Sequence, residues 1–243
     1  MKGKTVSMRM FPAVFIMLFL VFPALSPAAE LKCTKCHGQL AKGKSVHKAL
    51  SMGCTICHGG IDTKAMPHKK TNALAKGLTS EPPGLCYGCH DKGNFTKKNV
   101  HAAVDMGCTG CHNPHSSKNA RLLVSEVPAL CLTCHDKAGF SQKNVHPPVA
   151  SGDCTTCHSP HSSDMIALLA KKPYDTCLQC HPDSAEHGNH VPRSGDKVPE
   201  DPKKPGRPFY CGSCHNPHSS NTPLLFRFDA QSASGLCVNC HAF

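Results

Sequence analysis

The chain has 243 residues, with 27 Lys and Arg against 16 Asp and Glu for a formal net charge of +11, no Trp, 10 Phe, 3 Tyr, and 18 each of Cys and His. So few large apolar side chains exclude a fold whose core is made of side chains alone. The positive balance suggests a nucleic-acid footprint until the cysteines are read.

Residues 1–29 carry an export message. Lys2, Lys4 and Arg9 form a positive start, 10–22 is apolar, and 23–29 is small and turn-forming, the pattern of a cleaved secretory signal peptide. The apolar run is short for a retained anchor, and after residue 30 no apolar run is long enough to span a bilayer. No lipobox is evident, since Cys33 belongs to the first of the motifs below. The expected location is periplasmic after cleavage, with outer-membrane-associated or extracellular placement open.

From Cys33 onward the pentapeptide C-x-x-C-H occurs nine times: Cys33, Cys36 and His37; Cys54, Cys57 and His58; Cys86, Cys89 and His90; Cys108, Cys111 and His112; Cys131, Cys134 and His135; Cys154, Cys157 and His158; Cys177, Cys180 and His181; Cys211, Cys214 and His215; Cys237, Cys240 and His241. Two thiols one helical turn apart reach the two vinyl groups of one porphyrin, and the next residue offers its imidazole to the iron. Zinc ribbons and disulfide frameworks also use paired cysteines, but neither explains a histidine after every second cysteine. The motif reads as a c-type haem attachment site, so nine covalently attached haem c groups are expected. Without residues 1–29 the charge is about +8, and two propionates per haem bring the assembled protein to about −10. Nucleic-acid binding drops out, and the lysines read as partners for propionates.

The motifs alternate in a repeat. CYGCHDKGNFTKKNVH from Cys86 matches CLTCHDKAGFSQKNVH from Cys131, and each runs on to CTGCHNPHSS or CTTCHSPHSS. This predicts two-haem units at 33–85, 86–130, 131–176 and 177–236, with a half-repeat at 237–243. Two stretches interrupt the array. Residues 59–85 are rich in lysine (Lys64, Lys69, Lys70, Lys76) and predict one helical turn at 72–78; 182–210 holds six prolines and predicts an irregular surface loop, with a docking role as the alternative. Ser117 and Ser163 stand as N-caps before the apolar pairs Leu122 and Leu123, and Leu168 and Leu169, with Leu224 and Leu225 the third such pair; helices of two or three turns packing on haem are predicted. The expected fold is mostly loops with short α-helices wrapped around a haem array, with little or no β-sheet, and unable to form without haem.

Nine histidines lie outside the motifs: His47, His68, His101, His115, His146, His161, His187, His190 and His218. Their number equals the number of motifs, and most recur in register. His47, His101 and His146 each follow a Val, while His115, His161 and His218 each lie three residues after a motif histidine. Bis-histidine ligation of most or all haems is expected. Three extended residues span only about 10 Å, too little to pass around a porphyrin edge, so His115, His161 and His218 are expected to serve neighbouring haems. His190 fits the repeated position better than His187. Met52, Met66, Met106 and Met165 do not recur at every repeat, which leaves His–Met ligation a minor alternative.

The element C-x-x-C-H-x-P-H-S at Cys108, Cys154 and Cys211 resembles the doubled CxxCH motif family of bacterial multihaem cytochromes c. The likeness covers nearly all of the chain after the signal and is weaker from Cys33 to Leu85, where CTICHGG lacks the P-H-S continuation. The resemblance implies an electron-transfer protein of anaerobic respiration rather than an enzyme, with no catalytic residue. The expected donor is an inner-membrane quinol oxidase or small cytochrome; the expected acceptor is an outer-membrane cytochrome, a porin–cytochrome complex or a soluble reductase. Two alternatives stand beside it: a multihaem reductase of a small nitrogen or sulfur oxyanion, which needs an open iron position, and a structural subunit of an outer-membrane porin–cytochrome conduit or haem filament.

Overall fold

The computed structural model describes residues 30–183, 198–228 and 233–241. The signal peptide, His187 and His190 lie outside the described residues. Helices are confined to short stretches, mostly at the motifs: α1 (Glu30–His37), α2 (Gly84–Tyr87), α3 (Pro147–Ala150), α4 (Cys154–Cys157), α5 (Pro173–Leu178), α6 (Cys211–Cys214) and α7 (Ala233–Cys237). None of the described helices is long and apolar enough to cross a membrane.

The strands are β1 (Ser45–Val46), β2 (Ile61–Asp62), β3 (Lys69–Lys70), β4 (Asn99–Val100), β5 (Ser116–Ser117), β6 (Asn144–Val145), β7 (Ser162–Ser163), β8 (Glu200–Asp201), β9 (Lys204–Pro208) and β10 (Ser219–Ser220). They form five antiparallel pairs, β1 with β5, β4 with β7, β6 with β10, β2 with β3 and β8 with β9. The first three join each unit to the next, so the units are linked in series, as in repeat proteins whose modules touch only their neighbours. The loop-rich expectation stands, but these small sheets organise the chain.

Side chains of the protein supply almost no core. Among the described residues Phe226, 7% exposed, is the buried hydrophobe, while Ser162 and Ser219 are 1% and 0% exposed. Val46, Met52, Ile56, Val100 and Met106 stand exposed. Buried serines are tolerable because each hydroxyl is satisfied. Ser162 Oγ donates to Asn94 O at 2.8 Å and accepts from Lys97 N at 3.3 Å, and Ser219 Oγ donates to Gly139 O at 3.0 Å and accepts from Gln142 N at 3.3 Å.

Four local expectations are corrected. The leucine pairs do not open helices of two or three turns; each closes a tight turn in left-handed backbone, with Arg121 and Leu122 at φ 54° and 60°, Ala167 and Leu168 at 51° and 55°, and Leu224 and Leu225 at 52° and 58°. Two successive positive φ angles define a hairpin turn, and Leu123 N bonds Ala120 O at 3.2 Å across the first of them. Ser117 and Ser163 are not N-caps. They lie in β5 and β7, and their hydroxyls donate to Leu123 O and Leu169 O at the turn exits. The helical turn predicted at 72–78 is the same left-handed turn in the first unit, with Lys76 at φ 53° and Gly77 at φ 61°. Within 182–210, β8 and β9 pair with a register shift at Glu200/Asp201, so that part is a hairpin rather than an irregular loop. Arg227 steadies it with a 3.7 Å ion pair to the buried Asp201.

Candidate haem sites

Each site starts from one turn of backbone. The N–H of the motif histidine bonds the carbonyl of the first cysteine in eight of the nine motifs: His58 to Cys54, His90 to Cys86, His112 to Cys108, His135 to Cys131, His158 to Cys154, His181 to Cys177, His215 to Cys211 and His241 to Cys237, at 2.9–3.1 Å. The ninth, Cys33 to His37, lies within α1. Such a turn gathers two thiols and an imidazole within a few ångströms. None of the 18 cysteines is in a disulfide, and each is half-buried or exposed.

The second motif of each unit is then stapled to the left-handed turn downstream. Asn113 N bonds Leu122 O at 2.7 Å and Val124 N bonds Cys111 O at 2.9 Å; Ser159 and Ala170, Asn216 and Arg227, and in the first unit Gly60 and Thr79 repeat the pattern. The turn points one carbonyl at the motif imidazole. His58 Nδ1 lies 2.9 Å from Lys76 O, His112 Nδ1 2.9 Å from Arg121 O, His158 Nδ1 2.9 Å from Ala167 O and His215 Nδ1 2.7 Å from Leu224 O. A carbonyl can only accept, so Nδ1 carries the proton and Nε2 is left as the lone-pair nitrogen.

The histidines outside the motifs come to the motif histidines in pairs. His37 faces His68, His47 faces His90, His58 faces His115, His101 faces His135, His112 faces His161, His146 faces His181 and His158 faces His218, with ring centroids 5.8–6.1 Å apart. His115 therefore meets His58 and not His112, three residues before it; His161 and His218 likewise meet histidines of the preceding unit. An open cavity of about 330 Å³ lies between His112 and His115, lined also by Lys76, Thr109 and Val124.

The short sheets set this pairing. Pairing of β1 with β5 holds His47 N to His115 O at 2.8 Å and places Pro114 O 2.8 Å from His47 Nδ1. The same arrangement joins His101 to His161 through Pro160 O, and His146 to His218 through Pro217 O. Each sheet thus fixes two histidines that face two different motif histidines. His68 is held locally, its Nδ1 2.9 Å from Ala65 O.

One regularity runs through all seven described pairs: one ring has its Nδ1 on a backbone carbonyl and its partner ring has no such bond. The anchored rings are His47, His58, His68, His101, His112, His146 and His158. Two of the other rings are placed by packing instead. Phe95 lies 4.8 Å from His161 and Phe140 4.9 Å from His218. Those phenylalanines are delivered by short 3₁₀ turns that Asp91 and Asp136, directly after their motif histidines, cap through Gly93 N and Ala138 N at 2.9 Å.

Burial first, and then the neighbouring imidazoles His58, His112 and His158, hold His115, His161 and His218 below the usual histidine range, with Lys76 adding to the effect at His115. The shift favours the neutral ring, the form that binds a metal. Cysteines of successive motifs also meet. Burial and then the proximity of Cys108 push the Cys86 thiol up to about 11, and a hydrogen bond shared with Cys177 draws Cys211 down to about 7.

These residues fit haem c. Two metal–nitrogen bonds of about 2 Å plus two imidazole half-widths put the centroids of two axial rings ~6 Å apart, which is the spacing found. Nδ1 bonded to a carbonyl is the usual outer-shell support of a metal-ligating histidine. The acceptors, Lys76, Arg121, Ala167 and Leu224 at the turns and Pro114, Pro160 and Pro217 at the strands, escape a reading of the sequence because any residue has a carbonyl. The recurrent Pro-His and Leu-Leu pairs were the available signal.

No curated protein matches the chain. The family model for the doubled CXXCH motif matches residues 47–95, 101–140, 146–186 and 204–243, more than half of the sequence. These segments contain eight of the nine motifs and leave Cys33 to His37 outside. The first three begin on His47, His101 and His146 and end just past the motif histidine that each faces. The chain belongs to the doubled CXXCH motif family and is a multihaem c-type cytochrome whose motifs hold haem c covalently.

Proposed function

We propose that this protein carries electrons along nine covalently attached haem c groups, mainly with two histidine ligands each, in the periplasm during anaerobic respiration. The observation that carries the reading is the set of seven histidine pairs at 5.8–6.1 Å, which provides two axial donors at each of seven sites. His215 and His241 complete the nine motif ligands, and His187 and His190 complete the count of second ligands. Haem supplies reversible one-electron exchange between ferric and ferrous iron.

The polypeptide supplies the rest. Cysteines would tether the macrocycle on one backbone turn, and at the seven described pairs the opposed imidazoles would both ligate the iron. Carbonyls at Nδ1 orient one ring of each pair and raise its basicity, which favours the ferric state and low potentials. The two-residue sheets join neighbouring sites. An inner-membrane quinol oxidase or small cytochrome would act as donor, and an outer-membrane cytochrome, a porin–cytochrome complex or a soluble reductase as acceptor.

The mass of the processed protein tests the haem count, with nine haem increments above the polypeptide expected. A redox titration tests the ligation: low, overlapping potentials with low-spin spectra are expected. Potentials confined to the His–Met range would overturn the bis-histidine assignment, and a large high-spin fraction with turnover of nitrite or a sulfur oxyanion would replace the carrier with a reductase.

A further inference from the structure

The charge of this chain is concentrated at one end of its series of units. Residues 31–80 contain nine lysines and one acidic residue, Asp62, whereas residues 81–243 contain fifteen basic and fourteen acidic residues. Eight of the nine lysines, Lys35, Lys42, Lys44, Lys48, Lys64, Lys69, Lys70 and Lys76, are exposed. None of the eight is in an ion pair among the described residues, and Asp62 already accepts from Lys64 N at 2.9 Å.

On the nine-haem reading, propionates sharpen this contrast rather than erase it. The two motifs in residues 31–80 bring four propionates, which leave that segment at about +4, while the seven later motifs bring fourteen and take the remainder to about −13. Haem carboxylates therefore cannot consume the lysines of the first segment. The excess surrounds the sites of His37 and His58: Lys69 and Lys70 form β3 directly after His68, Lys64 lies across the same hairpin, and Lys76 supplies the carbonyl that orients His58. The described sheets and histidine pairs connect only neighbouring units, and through them this segment meets the unit that follows it.

We propose that residues 31–80 form the docking face for an anionic electron-transfer protein, held by the exposed lysines beside the His37 and His68 site. The inference deepens the electron-transfer reading and rests on it. A strongly negative remainder repels the same partner, so attraction and repulsion together orient the encounter and raise its rate at low salt.

The test uses the full holoprotein and oxidised flavodoxin, an acidic flavoprotein, as the probe. Binding is measured by titration calorimetry between about 20 and about 200 mM salt, a range over which the Debye length contracts several-fold. The variant Lys64→Glu, Lys69→Glu, Lys70→Glu is compared with Lys97→Glu, Lys98→Glu, Lys143→Glu, which makes the same charge change at exposed positions of the interior units. The first variant should weaken binding at least about tenfold and lose most of the salt dependence, and the second should change it less than about threefold. Equal effects of the two variants, or binding that strengthens with salt, would overturn the docking face. Salt-sensitive self-association without binding to flavodoxin would overturn it in favour of a second copy as the occupant. Full reduction of the haems by dithionite, checked on the same samples, isolates the underlying reading: a chain without reducible haem would defeat both proposals, whereas reducible haem with unaltered binding would defeat only this one.

Discussion

The interior units and the first unit solve the same problem by different routes. In the interior, the first-motif histidines His90, His135 and His181 are met by histidines of the preceding unit, His47, His101 and His146, held by two-residue sheets between strands more than sixty residues apart in sequence. In the first unit His37 is met by His68, which hangs on the local hairpin of β2 and β3 and is oriented by Ala65, three residues before it. The left-handed turn differs too: the interior places Leu122, Leu168 and Leu225 where the first unit places Gly77. A serial array needs a partner at every module, and the lysine-rich insertion at 59–85 provides one from within.

The largest test removes what both regions share. Expressed without haem attachment, the chain should be unfolded throughout, with no cooperative thermal transition by circular dichroism, because the single buried hydrophobe among the described residues cannot offset chain entropy. A cooperative apo transition would show that the protein core is its own.

Removing single proposed second ligands sharpens the contrast. His68→Ala and His115→Ala should each convert about one ninth of the low-spin ferric signal to high-spin, read by electron paramagnetic resonance. Their structural effects should differ. His115 ties residues 57 and more apart, whereas His68 acts within its own unit, so His115→Ala should increase proteolysis between units and His68→Ala should not. Equal cleavage would make the cross-unit link unimportant.

Next in size is the turn. At Gly77 an added Cβ would lie 2.4 Å from Ile61 Cγ1 and 2.7 Å from Gly60 O, and the left-handed φ costs a side chain about 1–2 kcal/mol. Gly77→Ala should therefore cost about 2–4 kcal/mol, read as a Tm fall of roughly 4–16 °C for a protein of this size. Leu122→Gly should stay within about 1 kcal/mol, since relief of the left-handed backbone offsets chain entropy and lost packing. Similar losses at the two positions would dissolve the distinction between the regions.

The smallest effect falls on the serines. Ser162→Ala and Ser219→Ala each remove two hydrogen bonds made by a buried hydroxyl, at about 1–2 kcal/mol each in denaturant titrations. Ser116, the corresponding residue in β5, takes one bond from Gly43 N at 3.1 Å, and Ser116→Ala should cost less.

C-x-x-C-H points to a tether and a first ligand because the whole constellation lies within one helical turn, and in the structure His112 and His115, three residues apart, face different histidines. The leucine pairs misled. Ser117 before an apolar stretch satisfies the pattern of a capped helix, yet the backbone bonds from Asn113 and Val124 hold the segment in a left-handed turn. Backbone hydrogen bonding overrode helix propensity there, and no side-chain pattern records it.

From composition and spacing alone came the covalent chemistry, the repeat, and a polypeptide too poor in apolar side chains to fold around itself, all properties of residues close together along the chain. Which histidine meets which, and which carbonyl turns each ring, was decided by tertiary structure. Those contacts join strands of two residues across scores of positions through main-chain groups that every amino acid carries, so their specificity exists only once the chain is folded.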